Sequence, residues 1–355
     1  MVNRGEPEAM GRLAWRVGPD EPGSDWLPGA VASWRDSASN QCAAACREHP
    51  AIYTAVVAEG TMEALDTALT KMLDDKIGPR DPRIRGWLLL DSYLPTLVST
   101  LVYLLVVAIG PKLMRERQPF SLKGLLVVYN ALLTGLSFYM FYELVAGVWT
   151  GGYNLRCQNT HSAGEADMRI ARVLWIYYLS KLIEFLDTVF FIVRKKNTQV
   201  TVLHVYHHAS MPTIWWFVLN WVPCGHSYFG ATFNCFIHVL MYGYYGLSVI
   251  PAMRPYLWWK RYITQAQLTQ FVMTMVQSGS AIVMPCGFPV GWLWFQISYM
   301  MSLVLLFSNF YIQTYIKQGS RPKLESHANG KMEPRSTGDL HENGNSTRQR
   351  KPKRV

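Results

Sequence analysis

Seven long apolar stretches follow one another through the middle of the chain, separated by short polar connections. Each is long enough to cross a bilayer as an α-helix, which needs about 20 residues. The charged residues lie mainly in residues 1–86 and 317–355. This pattern predicts an all-α membrane protein with seven transmembrane helices. The predicted spans are residues 89–110, 122–147, 170–193, 201–223, 226–250, 262–285 and 291–316.

The fourth and fifth spans are separated only by the turn around Pro223, Cys224 and Gly225. So short a connection predicts that these two helices form a tight hairpin.

The two ends of the chain differ from the apolar middle. Residues 1–61 are polar, lack the apolar core of a signal peptide, and are predicted to form a disordered extension. Residues 62–316 hold the seven helices. Residues 317–355 are rich in Gly, Asn, Ser and Lys, which predicts a disordered tail. The tail ends with Lys351 and Lys353 in the pattern of a dilysine signal for retrieval to the endoplasmic reticulum.

The net charge of +10 does not indicate a nucleic-acid-binding protein. Lys and Arg cluster in alternate connections between the spans and in the tail, as membrane orientation requires. This puts the N-terminus in the lumen and the C-terminus in the cytosol. Arg80, Arg83 and Arg85 disagree, because they precede the first span on the lumenal side. The six cysteines contain no CxxC pair, so we expect no metal site.

Ionisable side chains inside a span cost about 2.5–3.5 kcal/mol each near the bilayer centre, so their presence requires a reason. Counted from the cytosolic ends of six spans, the polar side chains fall in one layer. The layer predicts a polar cavity in the cytosolic half of the bilayer. The residues expected to form it are Asn130, Lys181, Glu184, Asp187, His204, His207, His208, His238, Tyr242, Tyr245, Gln267 and Gln270.

Three classes of protein carry histidines within a membrane. A di-iron desaturase or hydroxylase needs about eight histidine ligands, and the spans supply four. A seven-helix receptor or transporter accounts for the topology but not for the cluster of imidazoles, acids and amides. In the third class, a neutral imidazole attacks a thioester and carries the acyl group without a metal. Cys235 is the rival nucleophile.

The motifs resemble those of the ELO family of very long chain fatty acid elongases. The resemblance runs from about Met62 to Gln318, and several stretches are similar to the vertebrate polyunsaturated-selective members. The boxes are Lys181-Leu-Ile-Glu184-Phe-Leu-Asp187-Thr188, His204-Val-Tyr-His207-His208, His238-Val-Leu-Met241-Tyr242-Gly-Tyr244-Tyr245 and Thr264-Gln-Ala-Gln267-Leu-Thr-Gln270.

The resemblance implies a 3-oxoacyl-CoA synthase of the endoplasmic reticulum membrane, with six helices forming an inverted barrel around an acyl-chain tunnel. Polyunsaturated acyl-CoA of about eighteen to twenty-two carbons would condense with the co-substrate malonyl-CoA, without a cofactor. The reductases and dehydratase of the elongation cycle are candidate partners. A second copy of the chain, in a homodimer, is another candidate partner.

The resemblance also implies roles for particular residues. His207 would take the acyl group, with His238 opposite, and His204 and His208 would orient it or supply a base. Lys181 would meet a CoA phosphate or pair with Glu184. The other candidates for CoA phosphates are Arg194, Lys195 and Lys196. Asn130, Asp187, Tyr242, Tyr245, Gln267 and Gln270 would contact the substrate, and Cys157 and Cys286 would form a disulfide.

Overall fold

The computed structural model describes the backbone of residues 50–317 and the side chains of residues 60–317. The dilysine pattern, nearly all of the predicted disordered tail and residues 1–49 of the predicted extension lie outside the described residues. The chain divides into two compact units between Lys76 and Ile77. Apart from its last residue, helix α1, Pro50–Ile77, is the described part of the first unit, and it runs without a break across residues 61 and 62.

All of the regular secondary structure in residues 77–317 of the second unit is helical, with no strand in that range, as the apolar pattern predicts. Its helices are α2 Leu94–Leu113, α3 Lys123–Thr150, α4 Glu165–Ile183, α5 Phe185–Val193, α6 Val202–Trp221, α7 Tyr228–Val249, α8 Lys260–Val283 and α9 Val290–Tyr311, and a π-helical turn follows at Ile312–Lys317. Short 3₁₀ turns lie at Pro82–Ile84, Asn197–Gln199, Gly225–Ser227 and Pro251–Tyr256.

Local sequence signals explain where the helices begin and break. α2 begins at Leu94 rather than at residue 89, because Pro95 suits a first helical turn and Leu89 has a φ of 65°. Thr201 caps α6, since its side chain accepts a hydrogen bond from the backbone N–H of His204. The predicted third span is interrupted at Glu184, which separates α4 from α5.

Three of the described helical segments are long and apolar enough to cross a membrane on length and composition alone. They are Leu94–Leu113, Lys123–Thr150 and Val290–Lys317. The other predicted spans are broken or carry histidine, glutamine and hydroxyl side chains, which lower their mean hydropathy. Polar residues of this kind are tolerated in a membrane when they face the interior of a helix bundle.

Six helices of the second unit pack side by side in a closed ring. In order around the ring they are α3, α4, α6, α9, α8 and α7, and α7 packs back against α3. α2 packs mainly against α5, which is not part of the ring, and against one ring helix, α6. The ring leaves an interior that side chains from all its members can reach.

The predicted tight hairpin of the fourth and fifth spans is wrong. Although the connection between α6 and α7 is short, α6 packs against α2, α4 and α9, whereas α7 packs mainly against α3 and α8. The two helices therefore lie opposite each other in the ring. The connection can turn sharply because Gly225 has a φ of 63° and approaches the backbone of Asn159, where a Cβ would lie 2.8 Å away.

One end of the ring is held together by links between connections, and we call it the disulfide end. Cys157 and Cys286 form a disulfide there, with Cα atoms 5.7 Å apart. Gly287, with a φ of 90°, touches the side chain of Asn159. The backbone N–H of Asp81 donates to the carbonyl of Asn220 at 2.7 Å.

The same region holds Arg83, one of the basic residues that disagree with the charge rule. Arg83 and Asp81 form an ion pair of 2.6 Å in which the Asp81 carboxylate is buried, and Arg83 also donates to the carbonyl of Thr160. Burial alone would raise the pKa of Asp81, but hydrogen bonds and the positive charge of Arg83 outweigh it and lower the pKa. Arg83 therefore links two connections in the folded protein.

Candidate active site

A cavity runs through the interior of the ring, lined by residues of α4, α6, α7, α8 and α9. His207 lies near the start of α6, and Val222, just beyond the end of α6, also lines the cavity. At the helical rise of 1.5 Å per residue, these two positions are about 22 Å apart along the axis. The walls between them are mainly aliphatic and aromatic, so the cavity suits a long apolar chain.

Of the four predicted histidines, His207 is the one whose ring lines this cavity. His207 is partly buried, and its side chain makes no hydrogen bond with the residues that the structure describes. The ring of His208 lies at an angle to it, with ring centroids 5.3 Å apart. His207 is therefore free to react with a group that enters the cavity.

His204 and His208 are held behind His207 by contacts with protein. Nε2 of His204 lies 2.7 Å from the hydroxyl oxygen of Thr188, and the same hydroxyl bonds to Tyr103 at 3.2 Å. The rings of His204 and His208 are 4.3 Å apart. Their orientations are set by these neighbours, which suits a supporting role.

His238 belongs to a buried charged cluster with Lys181 and Glu184. Nζ of Lys181 lies 2.7 Å from Oε1 of Glu184, and Nδ1 of His238 lies 3.5 Å from the same oxygen. Lys181 is only 2% exposed. Of the two predicted roles for Lys181, the structure thus contains the pairing with Glu184.

Asp187 and the two tyrosines of the third box lie beside this cluster. The hydroxyl of Tyr242 donates to Asp187 at 2.8 Å, and Tyr242 is buried. Tyr245 contacts Tyr242 through its ring but is 38% exposed. The structure therefore brings Asp187 and Tyr242 together and leaves Tyr245 at the edge.

The predicted amides have different surroundings. Gln270 is buried at the cavity wall, and its Oε1 has no hydrogen-bond partner among the described residues. Gln267 contacts the sulfur of Met241 at 3.8 Å. Asn130 donates an amide N–H to the carbonyl of Leu126 in its own helix at 2.6 Å and is not among the residues that line the cavity, so its contact with substrate stays a prediction.

Two residues that the sequence reasoning missed complete the cluster. The hydroxyl of Tyr177 donates to Oδ1 of Asn234 at 2.6 Å, and Nζ of Lys181 lies 3.4 Å from the same oxygen. Both Tyr177 and Asn234 line the cavity. Asn234 could have been found, because it stands one helical turn before His238 on the same face.

Cys235, the rival nucleophile, is 1% exposed and does not line the cavity. Within residues 60–317, no group of three or more His, Cys, Asp or Glu side chains is arranged to hold a metal ion.

Comparison with known proteins agrees with this geometry. The model of the ELO (GNS1/SUR4) family matches residues 88–323. Very long chain fatty acid elongase 5 of Tachysurus fulvidraco is 66% identical over 284 residues, which are 79% of this chain and 97% of the relative. The proteins of that name from Rattus norvegicus and Homo sapiens are each 65% identical over 274 residues, 76% of this chain and 92% of the relative.

These matches cover the histidine boxes and the whole ring of helices. They confirm the predicted enzyme class, a very long chain fatty acid elongase that acts as a 3-oxoacyl-CoA synthase, and the predicted multi-pass membrane protein. The chain belongs to the ELO family.

Proposed function

We propose that this elongase condenses polyunsaturated acyl-CoA of about eighteen to twenty-two carbons with malonyl-CoA through an acyl group carried on His207. The products are a 3-oxoacyl-CoA two carbons longer, free CoA and carbon dioxide. The observation that carries the proposal is the position of His207, whose unpartnered imidazole lies in the wall of a long apolar cavity. An acyl chain in that cavity has its thioester beside this ring.

In the first step, a nitrogen of His207 attacks the thioester carbonyl carbon and forms a C–N bond. The C–S bond breaks, and the thiolate takes the proton that the imidazole loses, so CoA leaves as a thiol. The amide of Gln270 lines the same cavity with an unpaired oxygen, and its N–H group can donate to the oxyanion of the tetrahedral intermediate.

In the second step, malonyl-CoA loses carbon dioxide, and the electron pair of the broken C–C bond forms an enolate. The enolate carbon attacks the acyl carbon, the C–N bond to His207 breaks, and a proton from solvent restores the imidazole. Splitting the condensation in this way replaces one difficult step with two easier ones.

The buried cluster behind the cavity supports this chemistry. Glu184 holds His238 through Nδ1 and is itself neutralised by Lys181. His238 can therefore stand opposite the reacting groups in a fixed orientation, while Thr188 does the same for His204. Hydrogen bonds of this kind, from neighbouring residues to an imidazole, commonly decide how well a catalytic imidazole is positioned.

We propose further that α2, α3, α4 with α5, α6, α7, α8 and α9 are the seven membrane spans, and that the six-helix ring is a barrel around the acyl-chain tunnel. The order of contacts around the ring supports this arrangement. The charge of the connections favours an N-terminus in the lumen of the endoplasmic reticulum and a cytosolic C-terminus. His207 would then open toward the cytosol, where malonyl-CoA is present.

The test is incubation of the purified protein with polyunsaturated acyl-CoA alone. We expect one acyl adduct on the peptide containing His207, identified by mass spectrometry, and an equal amount of free CoA. His207→Ala should give neither. His161→Ala is the matched control, because His161 is an exposed histidine in a connection, and it should form the adduct normally.

Two results contradict the proposal. An adduct on Cys235 would transfer the nucleophile's role to the thiol. Elongation by His207→Ala at the wild-type rate would rule out the acyl-histidine route altogether.

A further inference from the structure

Gln296 of α9 is a polar side chain in the deeper part of the cavity wall. The hydroxyls of Tyr206 on α6 and Ser302 on α9 are 2.8 Å apart, which aligns the two helices at the level of His207. Gln296 precedes Ser302 by six residues, so it lies about 9 Å further toward the disulfide end. It is therefore beside the body of an acyl chain rather than beside the thioester.

The amide of Gln296 makes no hydrogen bond within the part of the chain that the structure describes. Three other polar side chains in the cavity wall are different, because each of them bonds to protein. Ser227 donates to the carbonyl of Val222, Thr274 donates to the carbonyl of Gln270, and Asn234 accepts from Tyr177. Gln296 thus presents an unused amide to whatever occupies the cavity.

Gly230 of α7 packs directly against this amide. A Cβ at Gly230 would lie 3.2 Å from Nε2 of Gln296 and 3.3 Å from Cγ2 of Thr274, which is too close for comfortable packing. Glycine therefore lets α7 approach the amide, and a side chain at this position would push the amide aside.

The free amide favours an unsaturated chain. A saturated chain that fills the cavity displaces water from the amide and offers no acceptor in return, which costs free energy. The π electrons of a cis double bond accept an N–H group weakly.

We propose that Gln296 selects unsaturated acyl chains by donating its amide N–H to a cis double bond, and that the absence of a side chain at Gly230 allows the amide to hold this position. This inference rests on the proposed function, in which the acyl chain extends from His207 into the cavity.

The experiment compares two acyl-CoA substrates of equal length, one saturated and one polyunsaturated, with the full-length enzyme and malonyl-CoA. In Gln296→Leu, the ratio of kcat/KM for the polyunsaturated over the saturated chain should fall about fivefold, which corresponds to about 1 kcal/mol. Gly230→Ala should lower the same ratio. The matched control is Gln265→Leu on α8, an exposed glutamine outside the cavity, which should leave the ratio unchanged.

The outcomes separate this inference from the proposed function. A wild-type enzyme without preference for the polyunsaturated chain would contradict the proposed substrate class. A wild-type preference that persists in Gln296→Leu, or equal losses for both substrates, would overturn the role of Gln296 alone. If Gln296→Leu does not fold, Gln296→Asn decides, because it withdraws the amide by one methylene and should also lower the ratio.

Discussion

Lys181 and Glu184 form an ion pair of 2.7 Å at the point where α4 ends and α5 begins, and both side chains are buried. Because Oε1 of Glu184 also lies 3.5 Å from Nδ1 of His238, the pair links the third and fifth predicted spans. A charge buried in this way depends on its partner, since no water is available to replace it.

Removing one member of this pair should destabilise the protein strongly. Glu184→Gln leaves the Lys181 ammonium buried without a counter-charge, and we expect a loss of about 3–5 kcal/mol in the free energy of unfolding. The more exposed pair of Arg169 and Glu143, at 2.8 Å, provides the control. Glu143→Gln should cost about 1 kcal/mol or less. Equal effects in denaturation experiments in detergent would contradict this interpretation.

Thr188 should act through His204. Thr188→Val removes the hydroxyl that lies 2.7 Å from Nε2, so the imidazole loses its fixed orientation. We expect kcat to fall roughly tenfold, about 1.4 kcal/mol in activation free energy, with little change in KM for acyl-CoA. Thr188→Ser retains the hydroxyl and should retain most of the activity. A purely structural role would instead lower Tm in both variants and leave kcat of the folded fraction unchanged.

The sequence predicted the helices well, because a membrane span needs a long apolar run and such runs are visible without knowledge of the fold. It predicted packing poorly. The short connection at Gly225 says that α6 and α7 are neighbours in the chain, but their partners are decided by side chains from other helices. Proximity in sequence was therefore mistaken for contact.

The residues of the site also divide into those that the sequence predicted and those that it did not. His204, His207 and His208 could be recognised because three imidazoles on one helix face are costly in a membrane. Asn130 was predicted by the same reasoning, although an amide can also satisfy an N–H within its own helix, as Asn130 does with Leu126. Tyr177 and Gln296 were missed because aromatic and single amide residues are common in helices, and only the cavity distinguishes them.

The disulfide should contribute substantially to stability. Cys157 and Cys286 are 129 residues apart, and closing a loop of that length stabilises the folded state by about 4–5 kcal/mol in the chain-entropy model. Dithiothreitol should lower the Tm of the wild type and have no effect on a Cys157→Ser, Cys286→Ser double variant. Alkylation of either thiol in unreduced protein would refute the pairing.

Stability should fall at low pH through Asp81, which lies in a connection outside the spans. Its folded pKa is below its ordinary value of 3.8, so the unfolded chain binds a proton first as the pH falls. The stabilisation is complete well above pH 3.8 and is lost progressively below it. In Asp81→Asn, this part of the acid dependence should disappear, as measured by Tm between pH 6 and pH 3. An unchanged acid profile would show that the Arg83 pair contributes nothing to it.

Asn159 separates two glycines that come from different connections at the disulfide end. Neither glycine leaves space for even a methyl group, because Gly225 packs against the main chain of Asn159 and Gly287 packs against its side chain, behind Val222 and Phe288. Main chain cannot rotate aside as a side chain can. In the proposed reaction, each round of elongation moves the methyl end of the substrate closer to this rigid end of the cavity. Elongation should therefore stop at a defined chain length rather than decline gradually with length.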